Sequence, residues 1–309
     1  MTTIPDERAS RMGLASLGAT HDGALARAVA KDGAVGAWLT LLADSPMQTY
    51  ALRAQALDLD RLAERTEMAE ARFVIPGDDE WPPQLDDLAG HREGQVGSGV
   101  PFGLWVRGEA LEPRDAVSLT GARASSQYGE VVASDLAQGF TDDGCTLVTS
   151  LAYGIDAAAL NAVLAAGGRA IAVAASGLSE VRMSGIDALI ARLGTEGTLV
   201  SEHPPGASPS RTNFLARARL IAALGRGTVL IEAGGRSGAK HAADWTIDLG
   251  KPLMAVPGPV TSALSVMPHD LIARGRAVLV TSASDVRETL AAATITDPSH
   301  TDQPERTQP

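Results

Sequence analysis

The chain has 309 residues, 45% hydrophobic and 20% charged, with a formal net charge of −11 and a single cysteine, Cys145. This suits a soluble globular protein with one sizeable domain and a smaller one. It excludes an internal disulfide framework and argues against wholesale electrostatic attraction to nucleic acid. The longest apolar runs, such as Ala170 to Ala175, are strand-sized and far short of a membrane span. Met1 to Arg8 lacks the basic start and apolar stretch of a secretory signal, so no membrane partner and a cytoplasmic location are expected. The acidity is uneven. Ten carboxylates crowd Asp58 to Asp87, whereas Arg211 to Lys240 carries Arg211, Arg217, Arg219, Arg226, Arg236 and Lys240 against Glu232 alone.

Residues 1–20 are polar and small with no sustained period, which predicts a flexible N-terminus. Over 21–70, apolar residues including Leu25, Trp38, Leu42, Leu52 and Leu62 recur at helical spacing with short breaks, predicting a small helical domain. Phe73-Val74-Ile75 and Phe102 to Gly108 read as short strands leading into a main sheet at its edge. Between them Trp81 before Pro82-Pro83 is pinned extended, and Gly94, Gly97, Ser98 and Gly99 predict a flexible loop.

From Asp115 the alternation is regular. Strands are expected at Ala116–Thr120, Thr146–Thr149, Ala170–Ala174, Thr198–Ser201, Thr228–Glu232, Leu253–Val256 and Ala277–Val280. Helices are expected near Gln127–Asp143, Ile155–Ala166, Gly185–Leu193, Asn213–Leu224, Ala239–Leu249, Pro268–Arg274 and Ser284–Ala293. Strands apolar at consecutive positions, such as Val229-Leu230-Ile231, call for a mostly parallel sheet covered on both faces, and each crossover is long enough to be right-handed. The fold class is α/β with a doubly wound sheet over 71–293, followed by a polar, disordered tail over 294–309.

Motifs of hydrolysis and nucleotide-triphosphate chemistry are missing: there is no Gly-x-Ser-x-Gly, His-Glu-x-x-His, paired cysteine or Walker Gly-Lys-Ser/Thr. No ligand-type spacing links His203, His241 and His269, so no metal site is expected. Cys145, at the mouth of a strand, reads as a small buried hydrophobe before a reactive thiol. Small-residue turns at the carboxyl ends of strands remain. Gly121-Ala122-Arg123-Ala124-Ser125 offers backbone amides beside a guanidinium, which suits an anion, phosphate above all. In Ser150 to Asp156, Gly154 permits a tight approach, and Asp156 reads first as a cap of the next helix, with general base as the alternative. Arg217 and Arg219 lie about 200° apart on a regular helix, so one can face a ligand while the other makes an internal ion pair. Gly234-Gly235-Arg236-Ser237-Gly238 is a second anion-competent loop, with Lys240 just beyond it, and Pro257-Gly258-Pro259 closes the rim as a rigid turn. Each turn alone is also compatible with an ordinary surface connection. Several on one sheet edge point to a shared site.

Taken in order, these turns resemble the DprA/Smf family of DNA-processing proteins over roughly Phe73 to Val280. The resemblance is carried by Gly121-Ala122-Arg123 with Tyr128-Gly129, by Thr149-Ser150-Leu151-Ala152-Tyr153-Gly154-Ile155-Asp156, and by Ser176-Gly177-Leu178. It continues through Ser201-Glu202-His203-Pro204, Phe214 with Arg217-Ala218-Arg219-Leu220-Ile221, Ser237-Gly238, Val256-Pro257-Gly258 and His269-Asp270-Leu271-Ile272. It implies an extended Rossmann-like domain that binds single-stranded DNA, commonly as a homodimer, and hands the strand to a RecA-type recombinase in natural transformation or recombination. No catalytic turnover and no cofactor go with it. The DNA- or phosphate-binding residues it implies, with the turns above, are Gly121, Arg123, Ser125, Gly154, Arg182, Arg217, Arg219, Arg236, Ser237, Gly238 and Lys240. The chain departs from the family pattern at Ser179–Ile186, which keeps no Tyr-Pro, and at Ala218, where the family has Asn. No winged helix is expected after the last predicted helix. A Rossmann-like sensor or hydrolase for a nucleotide or its derivative is the alternative reading, and a relative redirected to protein contacts is a third.

Overall fold

The structure, a computed structural model, describes residues 4–18, 22–43, 47–92, 95 and 97–296. Gly94, His21, His300 and the tail beyond 296 lie outside the described residues. Four helices come first: α1 (Glu7–Ser16), α2 (Gly23–Leu42), α3 (Gln48–Ala56) and α4 (Leu59–Met68). Helix α1 corrects the expectation of a flexible start. Asp6 caps it by accepting from the Ala9 amide at 2.7 Å, and Leu14 is fully buried in one cluster with Leu25, Trp38, Leu41 and Leu62. Gly13 makes that packing close, since a Cβ there would stand 2.7 Å from the Trp38 ring. An alanine- and serine-rich segment can be a stable helix when one leucine face is buried by its neighbours. Gly33, at φ 73°, breaks α2 where the sequence spacing also falters.

The sheet follows as β1 (Arg72–Val74), β2 (Leu104–Gly108), β3 (Val117–Gly121), α5 (Gln127–Asp142), β4 (Thr146–Ser150), α6 (Ile155–Ala165) and β5 (Arg169–Val173). It continues with α7 (Asp187–Glu196), β6 (Thr198–Ser201), α8 (Arg211–Leu224), β7 (Thr228–Ile231), α9 (Ala239–Asp248), β8 (Leu253–Ala255), α10 (Val266–Ala273), β9 (Val278–Leu279) and α11 (Ala283–Thr296). The spatial order is β1-β2-β6-β5-β4-β3-β7-β8-β9. β1 pairs β2, and β2 pairs β6, antiparallel, while the remaining pairs are parallel. The two short lead-in strands therefore do extend the sheet at one edge. The α/β, Rossmann-like doubly wound class is the observed one, with α5 and α6 packed on one face and α8 and α9 on the other.

Phe73 and Trp105, with ring centroids 4.5 Å apart, join the N-terminal helices to the sheet. The Trp105 indole N–H donates to the Thr66 hydroxyl of α4 at 3.0 Å, which satisfies both groups in the core. No helix among the described residues is long and apolar enough to cross a membrane.

One ion pair is wholly enclosed. Arg219 on α8 is 0% exposed and meets both carboxylate oxygens of Glu202 at 2.5 and 2.8 Å. Its Nε donates to the Gly99 carbonyl at 2.7 Å and Nη1 to that of Ala216 at 2.8 Å. The guanidinium thus ties the end of β6, the loop before β2 and α8 together. Truncating one partner of such a pair strands the other charge in the core. Arg219→Met is expected to lower stability in urea unfolding by about 3–5 kcal/mol, and adding Glu202→Met to recover part of that loss.

Candidate functional site

In the sheet order β3 lies between β4 and β7, so the chain leaves β3 in one direction and returns on its other side through α8 and β7. Crossovers running to opposite faces leave a crevice beyond the carboxyl ends of the strands at such a switch. There the structure has a cleft of about 680 Å³, walled by the turns after β3, β4 and β7 and by one face of α8.

The turn after β3 is set by close approaches. A Cβ on Gly121 would strike the Ile231 carbonyl and the Ile155 side chain. Gly154, at φ 74°, lets the start of α6 abut the Ala122 and Arg123 carbonyls, and the Ile155 amide donates to Ala122 O at 3.2 Å. Buried Glu232, at the end of β7, accepts from the Ser126 amide at 2.8 Å and from the Ser126 hydroxyl. Ser126 in turn caps α5, and Gly129 leaves room for that carboxylate, which a Cβ would hit. The Tyr128-Gly129 pair is thus explained by contacts: Gly129 clears Glu232, and the Tyr128 hydroxyl donates to Pro257 O at 2.6 Å.

Two distant guanidinium groups converge in this frame. Arg123 Cζ lies 4.8 Å, and Arg217 Cζ 5.2 Å, from the centroid of the Phe214 ring, within cation–π range. Arg217 is 8% exposed and its Nε has no hydrogen-bond partner, while Nη1 reaches Leu151 O at 3.4 Å. Burial lowers its pKa to about 10, so it stays charged at neutral pH. Opposite it is Asp156, 3% exposed, whose Oδ2 accepts from the Ser150 hydroxyl. Burial pushes the Asp156 carboxyl up to about 6, with Ser150, Arg217, the Gly121 amide and Thr149 pulling it back. Oδ1 still lacks a well-formed hydrogen bond. The expectation that Asp156 caps its own helix is corrected: the side chain accepts from Ser150, with the charge of Arg217 acting on it, and α6 has no side-chain cap.

Of the residues singled out from sequence, Gly121, Arg123, Arg217, Arg236, Ser237 and Gly238 line the cleft. Arg182 lies beside it, across the wall formed by Arg123 and Arg217. Ser125 and Gly154 are outside the lining, Ser125 because its hydroxyl donates to Glu130 at 2.7 Å. Two arrangements are corrected. Arg219 cannot reach a ligand because it is enclosed against Glu202, the internal pairing its angular distance from Arg217 allowed. Lys240 points out of the cleft to Asp244, one helical turn on, at 2.5 Å.

Arg211 and His241, absent from the sequence selection, also line the cleft, and Phe214, noted there only as part of a motif, stands at its centre. Arg211, Phe214, Arg217 and Ala218 follow helical i, i+3, i+4 spacing and share a face of α8. Counting that period back from Arg217 would have found them. Asp156 is the lone carboxylate among the cleft-lining residues, against Arg123, Arg211, Arg217 and Arg236.

A sequence profile of the DNA recombination-mediator protein A family matches residues 72–291. A Mycobacterium tuberculosis protein provisionally assigned as DNA processing protein DprA is 42% identical over 241 residues, 75% of this chain and 61% of its own. Protein Smf of Escherichia coli is 35% identical over 221 residues, 70% of this chain and 56% of its own. The chain thus spans less than two thirds of the length of these relatives. Among solved structures, DNA processing protein A of Streptococcus pneumoniae superposes with a TM-score of 0.75 at 28% identity, over 89% of this chain and 95% of that one. That of Helicobacter pylori shares the fold with a TM-score of 0.62 at 21% identity, over 72% of this chain and 98% of its own.

The raised Asp156 pKa makes stability depend on pH with a definite sign. The folded chain binds the proton more tightly than the unfolded chain, so acidification from about pH 6 to about pH 4 favours the folded state through this group. The stability of the native chain minus that of Asp156→Asn is expected to rise over that window by up to about 3 kcal/mol. Urea titrations of both proteins at several pH values measure it, and a difference that stays flat would mean Asp156 is ionised throughout.

Proposed function

The chain belongs to the DNA recombination-mediator protein A family, and from that premise we propose that it binds single-stranded DNA in the cleft at the strand-order switch. The observation that carries the reading is the convergence of Arg123 and Arg217 on Phe214, within a crevice edged by glycine-rich turns. The chemistry fits a phosphodiester chain. Guanidinium groups and peptide N–H groups bind phosphate oxygens, and an aromatic ring beside them offers unpaired bases a stacking surface that needs no particular sequence. The net charge of −11 does not oppose it, because the four cleft arginines face one carboxylate. The Helicobacter pylori relative is described by its single-stranded DNA binding mode, in keeping with the same chemistry.

The proposal extends to what the bound strand is for. A recombination mediator delivers a strand onward, so a RecA-type recombinase is the proposed recipient and a homodimer the proposed working form. The proposed setting is the cytoplasm.

Anisotropy of labelled oligo(dT) titrated with salt tests the core of this reading. If three or four phosphates are neutralised, log K is expected to fall against log salt with a slope of about −2 to −3. Arg123→Glu is expected to weaken binding at least about tenfold and to flatten the slope by about 0.7. Thermal stabilisation by mononucleotides with none by oligonucleotide would replace this reading with that of a nucleotide sensor.

A further inference from the structure

One acidic group stands among the arginines that line the cleft, and it is almost fully buried. Asp156, in the first turn of α6, accepts from the Ser150 hydroxyl through Oδ2, while Oδ1 has no well-formed hydrogen bond. The charge acting on it is that of Arg217 on α8, itself buried with an unpartnered Nε. The Gly121 amide at the end of β3 and Thr149 of β4 add lesser attractions, and Arg123 acts on Arg217. Arg211 of α8, Arg236 of the loop after β7 and His241 of α9 complete the ionisable lining. Glu232, engaged by Ser126, is not part of it.

Resting on the proposed strand binding, we infer that a phosphate entering the cleft draws a proton from solvent onto Asp156, so that the site takes up anion and proton together. Two effects act in the same direction. An anion beside Arg217 takes part of the attraction that keeps Asp156 ionised, and its own charge repels the carboxylate where little water screens the two. Each raises the affinity of the carboxyl for a proton. Oδ1 is the oxygen open to that proton, since Oδ2 stays with Ser150. In the empty cleft, burial already brings this carboxyl up to about 6. A modest further rise on binding therefore carries its titration across neutral pH. The bound state then holds more protons than the free state, so affinity increases as pH falls, until both states are protonated.

Calorimetric titration of the intact protein with oligo(dT) lacking a terminal phosphate, at pH 6.5 in two buffers of unlike ionisation heat, counts the protons. Neither thymine nor an internal phosphodiester titrates there, so any uptake belongs to the protein. If the bound anion raises the carboxyl from about 6 to about 7, uptake of about half a proton per site is expected. Affinity is then expected to rise about fivefold from pH 8 to pH 6. Asp156→Asn, which mimics the uncharged carboxyl in shape, is expected to lose the uptake and to bind at least about fivefold more tightly than the native chain at pH 8. Damage to the fold would move affinity the other way. His241→Gln is expected to keep the uptake. Absence of uptake by the native chain overturns the inference with no variant needed. Uptake that survives Asp156→Asn, or that disappears in His241→Gln, overturns it as well. Failure of the strand to bind in either buffer would instead reject the strand-binding reading itself.

Discussion

The site depends on one topological constraint, the position of β3 between β4 and β7. Parallel strands on either side of β3 must be reached by right-handed crossovers on opposite faces, so the helices α5 and α8 diverge from the carboxyl end of β3 and cannot fill the space above it. The turn at Gly121 is held against both neighbours, by Ile231 from β7 and Ile155 from α6. Glu232 then fastens the start of α5 to the end of β7 through Ser126. Strain is accepted to achieve this: Glu232 itself has φ 50°, a conformation non-glycine residues adopt at a cost. The crevice is therefore built from the backbone outward, and the arginines are added to a gap already present.

Helix α8 is the element that turns the gap into a charged site. It is covered on nearly all sides from Ala216 to Leu224, packing on the sheet, on α9 and on the turn at Pro83–Leu88. A helix so enclosed carries charged residues only where each has a partner or an opening. Arg219 has Glu202, and Arg217 has Asp156 and the cleft. The two arginines are thus not interchangeable despite standing two residues apart. One fixes the rotation of the helix about its axis, and that rotation aims the other.

The strands and helices of the sheet were legible because each crossover repeats a strong local signal, a run of consecutive apolar residues followed by a helical period. Boundaries fell within a few residues of those observed, as at Thr198–Ser201 and Gln127 to Asp142. Legibility failed where tertiary contacts decide. Helix α1 has too few apolar residues to announce itself, and it is held by burial of Leu14 beside Trp38. Lys240 is a different case, since Asp244 lies four residues on in the same helix and is a local partner that spacing alone makes readable. Asp156 looked like a cap because its place in the first turn allowed it, whereas the Ser150 hydroxyl holds it and the Arg217 charge acts on it through space. Arg123 and Arg217 could be chosen from the sequence, but their meeting on Phe214 could not, since it depends on how α8 is rotated.

The disparity between total and local charge follows from where the carboxylates are used. Three of the ten in the acidic N-terminal stretch face basic side chains: Asp78 with Arg8, Glu80 with Arg72, and Asp87 near Lys251. These pairs lie at the β1–β2 edge and under α8, apart from the lining of the cleft. At physiological ionic strength, exposed charges farther off than about 8 Å are largely screened, so a ligand in the cleft responds to the arginines lining it and to Asp156. Asp156 answers Arg217 from within the lining, and its raised pKa shows that burying the carboxylate costs more than that attraction returns. Its carboxylate faces Arg217, while Arg123 acts on the same guanidinium with opposite sign. An anion in the cleft would compete with Asp156 for Arg217, so this carboxylate moderates the pull of the arginines.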